Sequence, residues 1–181
     1  MRDVKLLVTD ISHVDPDAGI RLRNHSIHEL LERLPRLKDA EMPLVGGLYY
    51  LLLTGEIPTI DQAMEVESEW KIRAKVPNYI FELLDLMPSN ANPMTMFSQA
   101  ILAMERDSIF GRKYDEGMHK EDYWEPMLED SLELTAKLPA IAAYIYHLKR
   151  NYRKIPTPEL DLDWAANYGH MMGINDPSFP D

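Results

Sequence analysis

The chain has 181 residues, of which 45% are hydrophobic, and this is enough for one domain with a buried core. Its 30 acidic and 19 basic residues give a formal net charge of -11, which argues against nucleic-acid partners and anionic membranes. The sequence contains no cysteine, so disulfides, thiolate zinc sites and cysteine nucleophiles are excluded.

The first part of the chain is the only region with strand character. Residues 4–9 are typical of one strand, and residues 19–23 alternate as a second short strand does. Between them Asp15, Pro16 and Gly19 are turn-forming residues, since proline sets φ while aspartate and glycine favour the turn. The sequence therefore predicts a small β-hairpin.

The rest of the chain predicts helices, whose apolar residues recur three or four positions apart. Capping residues and prolines indicate where these helices begin. The predicted starts are Ser26 with Glu29 as a capping box, Leu44, Thr59 with Gln62, Pro77, Pro93, Tyr123, Pro139 and Leu162. Gly55 ends the second helix. The pattern predicts an all-α chain with one short N-terminal β-hairpin, forming one domain or part of one.

The helix from Pro93 to Met104 is apolar nearly all round, with Asn92 as its N-cap. In water such a helix must be buried on more than one side, by its own domain or by a partner. Residues 123–138 are amphipathic, and Pro139 is predicted to start a separate apolar helix. Core packing is expected for all three tryptophans, Trp70, Trp124 and Trp164.

General catalytic signatures are missing from the sequence: it has no glycine-rich phosphate loop, no G-x-S-x-G elbow and no H-E-x-x-H. Glu116 and His119 match one Glu-x-x-His half of a di-iron site, but no other histidine has a glutamate three residues before it. We therefore predict no metal site and a loop histidine that bonds locally. His147 and His170 are assigned no catalytic role.

Several stretches along the chain resemble the citrate synthase family, particularly its mitochondrial-type branch. They lie at residues 15–23, 47–59, 68–70, 92–94, 114–119, 123–124, 129–130, 136–139, 142–143 and 162–164. Their order and spacing agree along essentially the whole chain, so the series is more specific than any single stretch. The resemblance implies a multihelical, all-α large domain, of which residues 1–181 are the N-terminal part, with the downstream catalytic part and the small domain absent.

The resemblance also implies an activity: acetyl-coenzyme A is condensed with oxaloacetate to give citrate and coenzyme A, and no cofactor is permanently bound. In that family two histidines and an aspartate carry out the chemistry, and their positions are expected to lie beyond residue 181. The chain alone is therefore expected to be inactive, with no catalytic residue of its own. The alternative is a non-catalytic helical module for assembly or dimerisation.

Two residues match family contacts to the coenzyme A phosphates, namely Arg2 and Lys120. Lys120 stands where the family has arginine, so it keeps the charge but loses the planar fork that binds a phosphate at two points. The alternative for both residues is a solvated surface cation. The resemblance further implies a homodimer, built in part through the helix from Pro93 to Met104.

The sequence constrains the compartment through the segments it lacks. No apolar run approaches the ~20 residues that span a bilayer. The first residues resemble neither a signal peptide nor a transit peptide. We expect a protein that is not secreted and that resides in the bacterial cytoplasm or in the mitochondrial matrix.

Overall fold

A computed structural model of the chain describes residues 11–38, 40–152, 157–159 and 161–174. Within these ranges the chain forms eight α-helices, two short 3₁₀ helices and a small three-stranded sheet, which confirms the predicted fold class. No helix in the described ranges is long and apolar enough to cross a membrane. The chain divides into two compact units, one within Met1–Glu67 and one within Ser68–Phe179.

The first unit contains the sheet and the first helices. Its elements are β1 Ser12–Asp15, β2 Gly19–Leu22, β3 His25–Ser26, α1 Ile27–Arg33, α2 Val45–Thr54 and the first part of α3 Ile60–Arg73. The strands are antiparallel in the order β1-β2-β3.

The predicted hairpin turn is confirmed between β1 and β2. The Asp15 carboxylate accepts hydrogen bonds from the amides of Asp17 at 2.9 Å and Ala18 at 2.7 Å. Gly19 follows with a φ of 80°, which a residue with a Cβ rarely adopts. The strand before the turn is β1, whereas the strand predicted at residues 4–9 lies outside the described residues.

The predicted caps of the first unit are confirmed. Ser26 and Glu29 form a capping box, in which the Glu29 amide donates to Ser26 Oγ and the Ser26 amide donates to Glu29 Oε2. Gly55 ends α2 in the left-handed conformation. Thr59 and Gln62 exchange the same pair of bonds at the start of α3. These contacts are local, so the sequence alone predicts them.

The first unit has a small apolar core, and two of its helices approach each other closely at one point. Leu30, Leu34 and Leu51 are buried together. A Cβ on Gly46 would lie 2.7 Å from the Ala63 carbonyl oxygen, so α2 approaches α3 there only because glycine has no side chain.

The second unit is helical throughout its described part. Its elements after α3 are α4 Asn78–Asp85, α5 Pro93–Ala103, a 3₁₀ helix Met104–Asp107, α6 Ile109–Asp115, a 3₁₀ helix Lys120–Asp122, α7 Trp124–Lys149 and α8 Trp164–Met171. Helices α4, α5 and α7 enclose the core, whose buried members are Val76, Ile80, Leu84, Met96, Ala100, Ile141 and Ile145.

The prediction that Pro139 starts a separate helix is wrong, because Pro139 lies inside the 26-residue helix α7. Proline has no N–H, so it leaves the carbonyl of Thr135, four residues earlier, without its helical partner. The indole N–H of Trp164 donates to that carbonyl oxygen at 3.1 Å. A side chain of α8 therefore satisfies the acceptor that Pro139 leaves free, and α7 continues through the proline.

Core packing is confirmed for Trp70, which is 2% exposed, and its ring lies 5.8 Å from that of Trp164. The prediction is wrong for Trp124, which is 67% exposed at the first position of α7. Helix α5 is buried on one side only: Met94 and Leu102 remain 67% and 69% exposed. The exposed side of this helix thus carries two large apolar side chains that the described part of the chain does not cover.

Candidate functional site

Of the two predicted phosphate-binding residues, the structure describes one. Arg2 lies outside the described residues, so its predicted role stays a prediction. Lys120 is exposed at the start of the 3₁₀ helix Lys120–Asp122, in the connection between α6 and α7. The geometry of this connection determines where the Lys120 side chain is presented.

The start of α6, the helix that precedes this connection, is held by one carboxylate of α7. Asp130 accepts hydrogen bonds from Ser108 Oγ at 2.6 Å, from the Ile109 amide at 2.8 Å and from the Phe110 amide at 3.0 Å. Ser108 Oγ in turn accepts from the Gly111 amide at 2.8 Å. The first three amides of α6 are therefore satisfied by two side chains, and the helix start is fixed against α7.

The end of α6 is closed by a glycine turn. Gly117 has a φ of 88°, its amide donates to the Tyr114 carbonyl at 3.0 Å, and the Met118 amide donates to the Lys113 carbonyl at 3.1 Å. This pair of bonds around a left-handed glycine is the Schellman motif, which ends a helix at a fixed angle.

The Glu-x-x-His pattern is explained by the same turn, since Glu116 is the C-cap of α6 and His119 follows the motif as an exposed residue. Within the described ranges no group of three or more His, Asp or Glu side chains could hold a metal ion.

Three aromatic rings pack together between α6 and the start of α7. Phe110 lies 5.2 Å from Tyr123 in an edge-to-face arrangement, and 5.8 Å from Tyr114. Tyr114 and Tyr123 lie 6.0 Å apart. Such ring pairs stabilise the packing beyond the burial of apolar surface. They therefore hold α6 against the start of α7, the two helices that the connection with Lys120 joins.

Lys120 carries an exposed charge. Among the described residues Lys120 takes part in no ion pair. By contrast, two largely buried cations of the second unit are paired: Arg73 lies 3.0 Å from Glu129 and 3.5 Å from Glu133, and Lys137 contacts Glu133. Within the described ranges, Lys120 thus differs from these two cations in having no carboxylate partner.

A cavity of about 400 Å³ lies beside Asp130, but its charge does not suit an anion. Its lining includes the carboxylates of Glu105, Asp107, Asp130 and Glu133 against a single cation, Lys137. Because like charges repel, a phosphate is disfavoured there. Lys120 is not among the lining residues, so Lys120 and the cavity are separate features.

The described histidines do not assemble a catalytic group. His147 is buried and its ring Nε2 lies 2.7 Å from the Met171 carbonyl oxygen, a contact that holds the end of α8. His170 Nε2 lies 3.6 Å from a Glu159 carboxylate oxygen. Neither histidine lines the cavity.

Asp130 was not predicted as a site residue, because its role depends on contacts with residues about twenty positions earlier in the chain. The signal that could have drawn attention to Asp130 is a carboxylate at the seventh residue of α7, between the apolar residues Met127 and Leu134. Local sequence patterns give no indication of its partners.

Comparison with known proteins relates the whole chain to one family. A family model described as "Citrate synthase, C-terminal domain" matches residues 1–180. The mitochondrial citrate synthase of Xiphias gladius is 46% identical over 180 residues, which make up 99% of this chain and 38% of that protein. The chain thus spans under two fifths of the length of this relative.

Solved structures show the same fold. The crystal structure of citrate synthase from Pyrobaculum aerophilum matches with a TM-score of 0.77 and 26% identity, over 97% of this chain and 42% of that chain. The ternary complex of carboxymethyl coenzyme A and oxaloacetate with citrate synthase from Thermoplasma acidophilum matches with a TM-score of 0.71 and 16% identity, over 94% of this chain and 41% of that one. The resemblance inferred from the sequence is confirmed.

Proposed function

Because the chain belongs to the citrate synthase family, we propose that it serves in the condensation of acetyl-coenzyme A with oxaloacetate, which gives citrate and coenzyme A. The observation that carries this proposal is the match of residues 1–180 to the family, with 46% identity to a mitochondrial citrate synthase. The Thermoplasma acidophilum relative, which shares the fold, is a complex with a coenzyme A derivative and oxaloacetate.

Within this reaction we propose that the chain contributes to holding the coenzyme, with Lys120 and Arg2 contacting its phosphates. The support for Lys120 is its exposed charge, which forms no ion pair with another described residue, and its place after α6, a helix held at its start by Asp130 and ended by the turn at Gly117. A lysine ammonium binds a phosphate as a point charge, so the contact does not need the planar geometry of an arginine.

We propose further that the groups that deprotonate the acetyl methyl and polarise oxaloacetate are supplied by the part of the family polypeptide that this chain does not cover. Residues 1–181 would then be the N-terminal part of the large domain. Such acid–base groups must lie within hydrogen-bond reach of the substrate. His147 and His170 instead contact a backbone carbonyl at the end of α8 and a glutamate carboxylate, respectively.

We also propose a homodimer formed through α5, because this helix exposes apolar side chains that need a partner. Met94 and Leu102 are large apolar side chains on the exposed face of this helix in the described part of the chain. A second copy of the helix would cover this face, since apolar surface removed from water stabilises association. This contact also fits the alternative function, a non-catalytic assembly module.

The mitochondrial matrix is the compartment that we propose for the protein. The support is the name of the relatives that match nearly the whole chain, which are mitochondrial citrate synthases.

A chimeric protein distinguishes the proposed enzymatic function from the alternative, a non-catalytic assembly module. In the Xiphias gladius citrate synthase the matched segment is replaced by residues 1–180 of this chain, and the release of coenzyme A from acetyl-coenzyme A is measured with and without oxaloacetate. We expect turnover that requires oxaloacetate, and none from the purified 181-residue chain. A chimera that folds and dimerises but does not turn over would contradict the proposed function, as would turnover by the chain alone.

A further inference from the structure

The geometry points to Asp130 as a positioning residue, which holds Lys120 where it can contact a coenzyme A phosphate. This inference rests on the proposed function of Lys120. Asp130 does not touch the ligand in this account, and it acts through the ten-residue segment between Ser108 and Gly117 that leads to Lys120.

Asp130 holds the start of α6. This helix has only seven residues, and helices so short are unstable in water without tertiary contacts. Asp130 accepts from the amides of Ile109 and Phe110 and from the hydroxyl of Ser108, at 2.6 to 3.0 Å. A carboxylate at this end also interacts favourably with the helix dipole. Asp130 is thus the main polar contact that fixes α6 to α7.

Backbone hydrogen bonds hold the stretch from α6 to Lys120. The Schellman motif at Gly117 fixes the direction in which the chain leaves α6. The Asp122 amide then donates to the His119 carbonyl at 3.0 Å, which closes the 3₁₀ helix that Lys120 begins. Since backbone hydrogen bonds follow one another along this stretch, a displacement of α6 is transmitted to Lys120.

The contacts at position 130 require a carboxylate. Both carboxylate oxygens of Asp130 are used as acceptors, Oδ1 by Ile109 and Oδ2 by Ser108 and Phe110. In Asp130→Asn one of these oxygens becomes an NH₂ group, which is a donor and cannot accept. At least one donor of α6 then loses its partner, and the short helix is released from α7.

The experiment has a structural readout on the full 181-residue chain. Amide hydrogen exchange is compared in the wild type, in Asp130→Asn and in Asp115→Asn. The Asp115 variant removes the same charge from an exposed position at the other end of α6. We expect exchange in residues 108–122 to become about tenfold faster in the Asp130 variant alone, while α8 keeps its protection.

The functional readout uses the chimera described above. Asp130→Asn is expected to raise the KM for acetyl-coenzyme A by about three- to tenfold with little change in kcat, because a contact remote from the reacting atoms is lost. In the double variant with Lys120→Ala the Asp130 substitution should add little, since both changes remove the same contact.

Three outcomes decide the inference. Unchanged hydrogen exchange in residues 108–122 would overturn it, as would an Asp130 effect on KM that persists at full size in the Lys120→Ala background. A wild-type chimera without activity contradicts the proposed function instead, and it is recognised before any substitution is made. Faster exchange together with the shared KM effect supports the positioning role.

Discussion

At the scale of single residues, two tyrosines show how burial and a carboxylate act together. The Tyr144 hydroxyl donates to Asp85 Oδ1 at 2.8 Å, and the Tyr79 hydroxyl donates to Asp107 Oδ2 at 2.7 Å. In both cases burial, followed by the hydrogen bond to the carboxylate, raises the pKa of the phenol to about 12. The neutral phenol is the form that the fold favours.

The pH dependence of stability follows from the direction of these shifts. A phenol in the unfolded chain has a pKa of 10.0, below the value of about 12 in the fold. The contribution of Tyr144 to stability is therefore complete below pH 10 and is lost as the pH rises through about 12.

We predict that Asp85→Asn lowers the pKa of Tyr144 from about 12 without restoring the ordinary value, because burial remains when the carboxylate charge is removed. The measurement is the phenolate absorbance of the protein minus that of its Tyr144→Phe variant, titrated with and without the Asp85 substitution. An unchanged titration in Asp85→Asn would show that the carboxylate has no part in the shift.

At the scale of helices, α7 depends on a hydrogen bond from outside the helix. Trp164→Phe removes the indole N–H that donates to the Thr135 carbonyl oxygen, which Pro139 leaves without a helical partner. We predict that this substitution lowers the free energy of unfolding by about 1–3 kcal/mol, as expected for a half-buried acceptor left unsatisfied. Urea denaturation measures the difference.

The matched control is the same substitution in a Pro139→Ala background. Alanine restores the N–H that can bond to Thr135, so Trp164→Phe should cost less there than in the wild type. Equal costs in the two backgrounds would mean that ring packing against Trp70, and not the hydrogen bond, accounts for the effect of Trp164.

The helices also show which part of the fold a sequence can predict. The capping box at Ser26 and the glycine end of α2 involve residues within a few positions, and both are confirmed. The continuity of α7 was not predictable, because the partner of Thr135 lies on another helix. The same limit applied to Asp130, whose hydrogen-bond partners lie about twenty residues earlier.

At the scale of the whole molecule, we predict that the chain associates through α5. The double substitution Met94→Ser and Leu102→Ser should shift the molecular mass in solution from dimer or larger toward monomer, because it removes exposed apolar surface. Light scattering measures the mass. A wild-type monomer would contradict the prediction.

Leu86→Ser provides the control for this association. Leu86 is 85% exposed at the end of α4, so its substitution removes a similar apolar side chain from a different helix. We expect the Leu86 variant to keep the mass of the wild type, and an equal loss of association would show that the contact is not specific to α5.

The family of the molecule was predictable because the matching stretches follow one another along nearly the whole sequence, and the comparisons confirm it. The candidate site was predictable only in part. Lys120 was identified by its position directly after the matching stretch 114–119, while the contacts that hold the preceding helix depend on Asp130 and on the turn at Gly117. Trp124 was expected in the core from its spacing, yet it lies at the exposed start of α7.

The measurement that most directly tests the account is the KM for acetyl-coenzyme A of the chimera when Lys120 is replaced by alanine. The control is Lys113→Ala, which removes the same charge from an exposed position in α6. We predict that Lys120→Ala raises KM by about five- to thirtyfold with kcat little changed, as expected for a lost charge-assisted phosphate contact, and that Lys113→Ala has a small effect. An unchanged KM in Lys120→Ala, or equal increases in the two variants, would contradict it.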